Sequence, residues 1–504
     1  MTFLRDQLFH EILMARQRVY AVAPPTPLQR LHLPQGPEVW IKREDLSPIH
    51  AYKWRGAYNR MDVLPKKGGA SEVVCASAGN HAQGVALAAR RLGLRARIYM
   101  PRSTPRMKQA AVARHGGDAV QIILHGDTYD AAAAEALGVA RDHALPFIHP
   151  YDDLQTMGGQ GTIADEVVMS GTGRFDSAFL QIGGGGMAAA VACWLRTYDP
   201  AIHLYGVEGV HQASMKAAID AGRPVALDYV DVFCDGTAVK KAGELTYPLC
   251  RDLLDDVLTV TNEEVCAAIQ TLWEAARIIP EPAGAMGLAG LMRAVRQGIA
   301  PGRSLCIICG ANLDFGQLAW IARHAGIGAA SRRYYRFEIS EHCGSLLQLL
   351  ETALEGINII EFQYGKTHPD RAWPVIGFEA SPPELELLAR RLDDLAIPHE
   401  DVTSQEDIEF RIINYAPALI HLPMFIKLEF PERAGALREF MQSFRSLANL
   451  CYFNYTYTGE RVGRALMGFE FPDADTRDRF RRGLHESGRV FREVTPEVMA
   501  RILQ

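Results

Sequence analysis

Ala178-Phe179-Leu180-Gln181-Ile182-Gly183-Gly184-Gly185-Gly186-Met187 is the stretch on which the reading of this chain turns. An apolar run of strand length breaks into four consecutive glycines, and an alanine-rich helical pattern follows at once. Glycines let the backbone turn tightly and aim successive N–H groups at one point, where the positive end of a helix dipole adds its field. Such a loop suits a phosphate. The Lys-Ser/Thr ending of a P-loop and the spaced glycines of a dinucleotide fingerprint are both missing, which disfavours nucleoside triphosphates and NAD. A glycine-rich turn without a ligand is the plain alternative.

Outward from this loop, from about residue 38 to about 325, short apolar runs alternate with helical patterns rich in Ala, Leu and Arg. The runs include Glu72-Val73-Val74-Cys75-Ala76, Ala96-Arg97-Ile98-Tyr99-Met100 and Leu305-Cys306-Ile307-Ile308-Cys309. Continuous apolar strands separated by helices predict parallel sheets covered on both faces, because each parallel crossover needs a dozen or more residues. Two α/β lobes are expected, with ligand in the crevice at the carboxyl ends of the strands.

A chain of 504 residues exceeds what one core supports, so further domains are expected. With 48% hydrophobic and 22% charged residues it has the balance of a globular protein. A net charge of −6 and no Lys/Arg block argue against nucleic-acid binding. No apolar stretch reaches the roughly 18 residues needed to cross a bilayer, and the charged first residues do not read as a secretory leader. Nine scattered cysteines suit a reducing, cytoplasmic setting rather than a disulfide framework.

Two further motifs carry chemistry. Ser77-Ala78-Gly79-Asn80-His81-Ala82-Gln83-Gly84 follows a strand and opens a helix, whose first-turn N–H groups are free for a carboxylate; a capped helix without a ligand is the alternative. Ile41-Lys42-Arg43-Glu44-Asp45 and Ala51-Tyr52-Lys53-Trp54-Arg55-Gly56-Ala57 offer lysines beside aromatic residues. A desolvated lysine loses its proton more easily and can form a Schiff base with an aldehyde. Spacing alone does not choose between Lys42 and Lys53.

After Ser331-Arg332-Arg333 the texture changes to alternating strands such as Tyr335-Arg336-Phe337-Glu338-Ile339 and amphipathic helices such as Gly344-Ser345-Leu346-Leu347-Gln348-Leu349-Leu350. Gly344 and Gly435, Asn358 and Asn449, Phe362 and Phe453, and Tyr364 and Tyr455 are each 91 positions apart. That constant offset reads as an internal duplication of a split βαβ module, with a linker near Asn414-Tyr415-Ala416-Pro417.

The three motifs, with Glu281-Pro282-Ala283-Gly284-Ala285, Cys309-Gly310-Ala311-Asn312, Thr26-Pro27-Leu28-Gln29, Gly158-Gly159-Gln160-Gly161-Thr162 and Gly236-Thr237-Ala238-Val239-Lys240, resemble the biosynthetic L-threonine dehydratases (threonine deaminases) of pyridoxal phosphate fold type II. The resemblance spans essentially the whole chain. It implies a two-lobed α/β catalytic domain with parallel sheets over 1–328, followed by two α+β ACT-like, ferredoxin-like regulatory modules over 333–410 and 421–504. It also implies dehydration and deamination of L-threonine, and more weakly L-serine, with pyridoxal phosphate as cofactor. Threonine would give 2-oxobutanoate and ammonia, the first committed step of isoleucine biosynthesis. The family's paired modules bind isoleucine and valine, so these are the implied effectors. A homodimer or homotetramer is implied, with no membrane or nucleic-acid partner.

Carried over residue by residue, the resemblance makes Lys53 the Schiff-base lysine and general base. Gly183, Gly184, Gly185, Gly186 and Met187 would cradle the cofactor phosphate, Asn80 would meet the ring hydroxyl, and Gly236 would lie against the ring. Ser77, Ala78, Gly79, Asn80 and His81 would hold the substrate carboxylate. Cys309 falls where the family usually has a serine facing the pyridine nitrogen, and Ala51 where relatives usually have a serine. Glu361, Phe362, Tyr364, Phe453, Asn454 and Tyr455 are the candidate regulatory residues. No metal site is expected: Cys306 and Cys309 form a C-x-x-C, but odd spacing on a strand points them to opposite faces. Rival readings are β-replacement or racemisation with the same cofactor, and a catalytically weakened amino-acid sensor.

Overall fold

The structure is a computed structural model and describes residues 2–34, 36–64, 71–405, 413–431, 435–445, 447–456 and 462–495. It divides into two compact units, residues 1–328 and 329–504.

In the first unit a six-stranded sheet runs in the order Leu28–Leu31, Val39–Arg43, Ser304–Ile308, Ser177–Gln181, His203–Gly209, Asp256–Val260. All its pairings are parallel except the first, where Leu28–Leu31 lies antiparallel to Val39–Arg43. The connection from Leu31 to Val39 is too short for the crossover that parallel pairing needs. A second sheet, Glu72–Ala76, Arg95–Met100 and Val120–Leu124, is wholly parallel. The central strands are buried along their full length because both faces carry helices. Ala178, Leu180, Leu305 and Ile307 enter one core, while Phe179, Cys306 and Ile308 enter the other. Cys309 belongs to the first of these cores and Cys306 to the second, and all nine cysteines are free thiols.

The helix Lys53–Asp62 is pressed between two others, and glycines permit the approach. A methyl group on Gly84 would sit 3.0 Å from Trp54 Cα, and one on Gly159 would run into the backbone oxygen of Arg55. Within the helix Leu154–Met169, Gly159 therefore seats the lysine-bearing helix, while Gly158 and Gly161 turn the other way, to Glu11 and Ile12 of the helix Thr2–Tyr20.

The second unit is one antiparallel sheet of eight strands, ordered His399–Asp401, Arg332–Phe337, Val375–Glu379, Asn358–Gly365, Asn449–Thr456, Val462–Glu470, Met424–Pro431, Phe491–Glu493. Numbered within each copy, the order is 4-1-3-2 followed by 2-3-1-4, so two split βαβ halves join at their second strands. The helices Ser345–Thr352 and Ala436–Ser443 begin and end 91 residues apart, each entered through a left-handed glycine, Gly344 at φ 96° and Gly435 at φ 82°. At the join Gln363 faces Asn454, its own duplicate, and Phe362 stacks on its duplicate Phe453 with ring centroids 4.3 Å apart. A pseudo-twofold axis therefore passes through the join. The run expected as one strand over 335–339 is broken, with Ile339–Ser340 leaving to pair with Arg371–Ala372. Of the expected linker, Asn414 to Pro417 is described and 406–412 lies outside the described residues.

Candidate active site

A cleft of about 1140 Å³ opens at the carboxyl ends of the parallel strands, between the two sheets of the first unit. Lys53, Ser77 to His81, Gly183 to Met187, Gly236 and Cys309 all line it. Lys42 does not. It is fully buried elsewhere, with Nζ donating to Glu166 Oε2 at 2.5 Å and to Thr26 O at 2.7 Å.

Lys53 is the first residue of its helix, and the backbone holds it in place: Tyr52 N–H donates to Cys309 O at 3.1 Å. Its amine donates to Pro150 O at 3.0 Å. Burial lowers the amine to about 8, against the opposing pull of Cys309 and Glu281. A lysine at that value has a substantial unprotonated fraction near neutrality, as nucleophilic and base chemistry requires.

Across the cleft, the loop Gly183 to Gly186 turns into the helix Gly186–Tyr198. Gly185 takes φ 93°, open to few other residues, and a side chain on Gly184 would collide with the Tyr151 ring. Ala189 N–H is the first to find a carbonyl of its own turn, Gly185 O at 2.9 Å, so the preceding amides have no partner within the helix. The Gly184 carbonyl is drawn off by Thr246 Oγ1 at 2.5 Å, leaving donors at the cradle. Backbone donors of this density, opposite a deprotonatable lysine, fit an aldehyde-bearing phosphoester.

Asn80 opens the helix Asn80–Leu92, with Nδ2 donating to Glu281 Oε1 at 2.8 Å and Oδ1 accepting from Asn312 Nδ2 at 2.6 Å. His81 is buried, with Nε2 against Ile148 O at 2.8 Å, and burial lowers it to about 3, so the ring is neutral. Ser77 Oγ accepts from Gly79 N at 3.2 Å and shapes the loop. The Cys309 thiol is pushed well up by burial and stays protonated. Beside it Gln181 is anchored through Nε2 to Ile307 O at 2.8 Å.

Several cleft residues had no role in the sequence reading. Lys108 forms an ion pair with Asp235 across the cleft, joining the helix Arg106–Gly116 to the turn that holds Gly236. Tyr151 walls the glycine cradle. Glu281 stood in a quoted segment, but nothing in its neighbours in sequence signals burial. Among the described residues no group of three or more His, Cys, Asp or Glu could hold a metal. Glu208 instead caps the helix Ser214–Ala221, accepting from the N–H groups of Met215 and Lys216 at 2.8 and 2.9 Å.

The six candidate regulatory residues part by face. Phe362, Tyr364, Phe453 and Tyr455 enter the core beneath the helices, whereas Glu361 is buried and accepts from Tyr334 Oη at 3.1 Å. Tyr364 lines one small cavity with Leu346 and Leu450, and Tyr455 lines another with Leu437 and Ile359. Each member of the first trio has its counterpart in the second at an offset of 91. Neither Glu361 nor Asn454 lines either cavity.

Residues 20–310 match the family described as pyridoxal-phosphate dependent enzymes, and 417–503 match the C-terminal regulatory domain of threonine dehydratase. The chain is 37% identical to the L-threonine dehydratase biosynthetic IlvA of Haemophilus influenzae over 97% of its own length and 96% of that protein's. Identity to the same-named protein of Burkholderia multivorans is 36%, covering 91% and 92%. In three dimensions the chain is similar to the processed form of threonine deaminase isoform 2 from Solanum lycopersicum, with TM-score 0.59 and 37% identity, over 64% of this chain and 94% of that one.

Proposed function

Since this chain belongs to the biosynthetic threonine dehydratase family of pyridoxal-phosphate dependent enzymes, we infer that it converts L-threonine to 2-oxobutanoate and ammonia, with Lys53 as the lysine that carries the cofactor. The observation that supports the assignment of Lys53 is its part-buried amine, lowered to about 8, facing a four-glycine cradle in the same cleft.

Pyridoxal phosphate, when bound, supplies an electron sink for the charge left at the substrate α-carbon. The chain's residues do the rest. Gly183 to Met187 hold the phosphate by backbone amides, and the Ser77-to-His81 loop offers the amides of a helix start to the substrate carboxylate. Lys53, its amine free and unprotonated, would take the α-proton. The β-hydroxyl would then leave as water on taking up a proton, which balances the one Lys53 has removed, and hydrolysis of the enamine product would consume one water and free ammonia. Serine, lacking the methyl group, is the poorer substrate and gives pyruvate.

Borohydride reduction followed by peptide mass spectrometry tests the anchor: a pyridoxyl adduct is expected on Lys53, and its absence there overturns the assignment. Steady keto-acid production from threonine by Lys53→Ala would do the same. A new amino acid in place of keto acid and ammonia would select β-replacement.

The paired cavities of the second unit are the proposed effector sites. An aliphatic amino acid would rest its side chain on Leu346, Leu450 and the Tyr364 ring and set its ammonium group at Glu341, a carboxyl that accepts from Asn449 Nδ2 at 2.9 Å. Isoleucine and valine have that chemistry. A dimer or tetramer and a cytoplasmic setting complete the reading; nine free cysteines support the latter.

A further inference from the structure

Glu281 is the most deeply buried carboxyl group of the cleft, 2% exposed, and the catalytic scheme leaves it without a role. It stands at the N-cap position of the helix Pro282–Arg296 without capping it through its side chain, which instead accepts from Asn80, across the cleft on the helix Asn80–Leu92. A chain of hydrogen bonds fixes the polarity of that contact. The Ile49 carbonyl can only accept, so the group of Asn312 that meets it at 3.0 Å must be the NH2. The same NH2 donates to Asn80 Oδ1, which turns Asn80 Nδ2 toward Glu281. One of the two Nδ2 hydrogens is then held by the carboxyl group, and the other is left for the cleft.

Resting on the cofactor reading above, we propose that Glu281 is a positioning residue that acts through Asn80, holding its amide so that an N–H, and never the oxygen, meets the ring hydroxyl of the cofactor. Its charge sets how strongly that N–H is polarised, because a bond to an ionised acceptor is about twice as strong as one to a neutral group. Burial raises the carboxyl to about 8, and Asp235 raises it further. Asn80, Lys108 and the backbone N–H of Asn312 pull the other way. Lys53, Cys309 and Tyr52 are the remaining titratable groups that face it. The carboxyl therefore changes charge as pH rises through about 8.

The test compares cofactor dissociation constants of the wild-type chain and Glu281→Gln from about pH 6.5 to about pH 9.5, where titration of the phosphate cancels in the ratio and the pull of Glu281 on Lys53, which persists with a cofactor lacking the ring hydroxyl, is subtracted by that control. That ratio is expected to change about fivefold with a midpoint near 8, the size of one charge-assisted hydrogen bond. Glu281→Asp should track the wild type. In an Asn80→Ala background, and also with 3-deoxypyridoxal phosphate, which lacks the ring hydroxyl, only the pull on Lys53 should remain. A ratio independent of pH, or an equal loss with the deoxy analogue, overturns the proposal while leaving the Lys53 adduct, and the function built on it, intact. Failure of the wild-type chain to take up cofactor would instead remove the reading on which both rest.

Discussion

Tyr52, the neighbour of Lys53, donates its N–H to Cys309 O, and Ala311 N–H donates to His50 O beside it, so the segments that carry Lys53 and Cys309 are tied backbone to backbone. A buried neutral thiol is a weak donor, and Cys309→Ser is expected to tighten cofactor binding about three- to tenfold, the scale of one improved hydrogen bond. Equilibrium titration reads this directly, and unchanged or weaker binding would show that the thiol is not the ring-nitrogen partner. Lys53 carries a separate expectation. An ordinary lysine at pH 8 is only roughly 0.3% unprotonated, whereas one lowered to about 8 is half so. Cofactor uptake by the apoenzyme should accelerate as pH rises through about 8 and level off above it, followed by the growth of the visible absorbance band. The choice between Lys42 and Lys53 was not legible in sequence, because it is made by Glu166, 124 positions downstream of Lys42.

At the scale of elements, the lysine-bearing helix is fixed by charge on one side and by glycine on the other. Arg55 donates to Glu44 at 2.8 and 2.9 Å and to Glu166 at 2.5 and 3.0 Å, and Lys42 completes a cluster wholly removed from water. Removing one member leaves an uncompensated buried charge, so Glu166→Gln is expected to cost about 3–5 kcal/mol in denaturant unfolding. Burial would raise the Glu44 carboxyl, but Arg55 and Lys42 outweigh it and hold it at about 2. The contribution of Glu44 is thus complete above its ordinary 4.5 and disappears as pH falls toward 2. On the glycine side, Gly159→Ala would drive a methyl group into the Arg55 backbone, an overpacking cost of about 1–3 kcal/mol accompanied by weaker cofactor binding. Gly138→Ala, in the helix Tyr129–Asp142 with nothing near the added carbon, should instead stabilise by about 1 kcal/mol. The strands were legible as apolar runs and the loop as four glycines. The glycines of 158–161 gave no such local signal, because what they accommodate is distant in sequence, Arg55 for Gly159 and the helix Thr2–Tyr20 for Gly158 and Gly161.

At the scale of the whole molecule, each unit has its own hydrophobic core, the first built from residues between Leu8 and Ala325 and the second from residues between Tyr335 and Leu484. The duplication was legible in the constant offset of 91, but the fusion of its copies into one sheet was not. That fusion depends on which strand edge each half leaves open, a tertiary property that no local pattern encodes. The axis gives the two cavities matched apolar linings, and among the described residues their charged groups differ. The Tyr364 cavity has Glu341 in its wall, with Lys366 and Glu470 paired at 2.5 Å close by. The Tyr455 cavity carries Glu355 paired with Arg438 at 2.7 Å. Unequal sites of common origin can bind two related amino acids with different effect, provided each favours a different state of the enzyme. Two measurements follow from that division. The chain ended after Gly328 should fold on its own core and turn over threonine with no response to isoleucine. In the full chain, Glu341→Gln should weaken one effector about tenfold while leaving the other within about twofold, since a charged hydrogen bond of roughly 1.5 kcal/mol is lost at one cavity only. Isothermal titration with isoleucine and valine separates the cases, and equal weakening of both would mean that the two cavities act as one site.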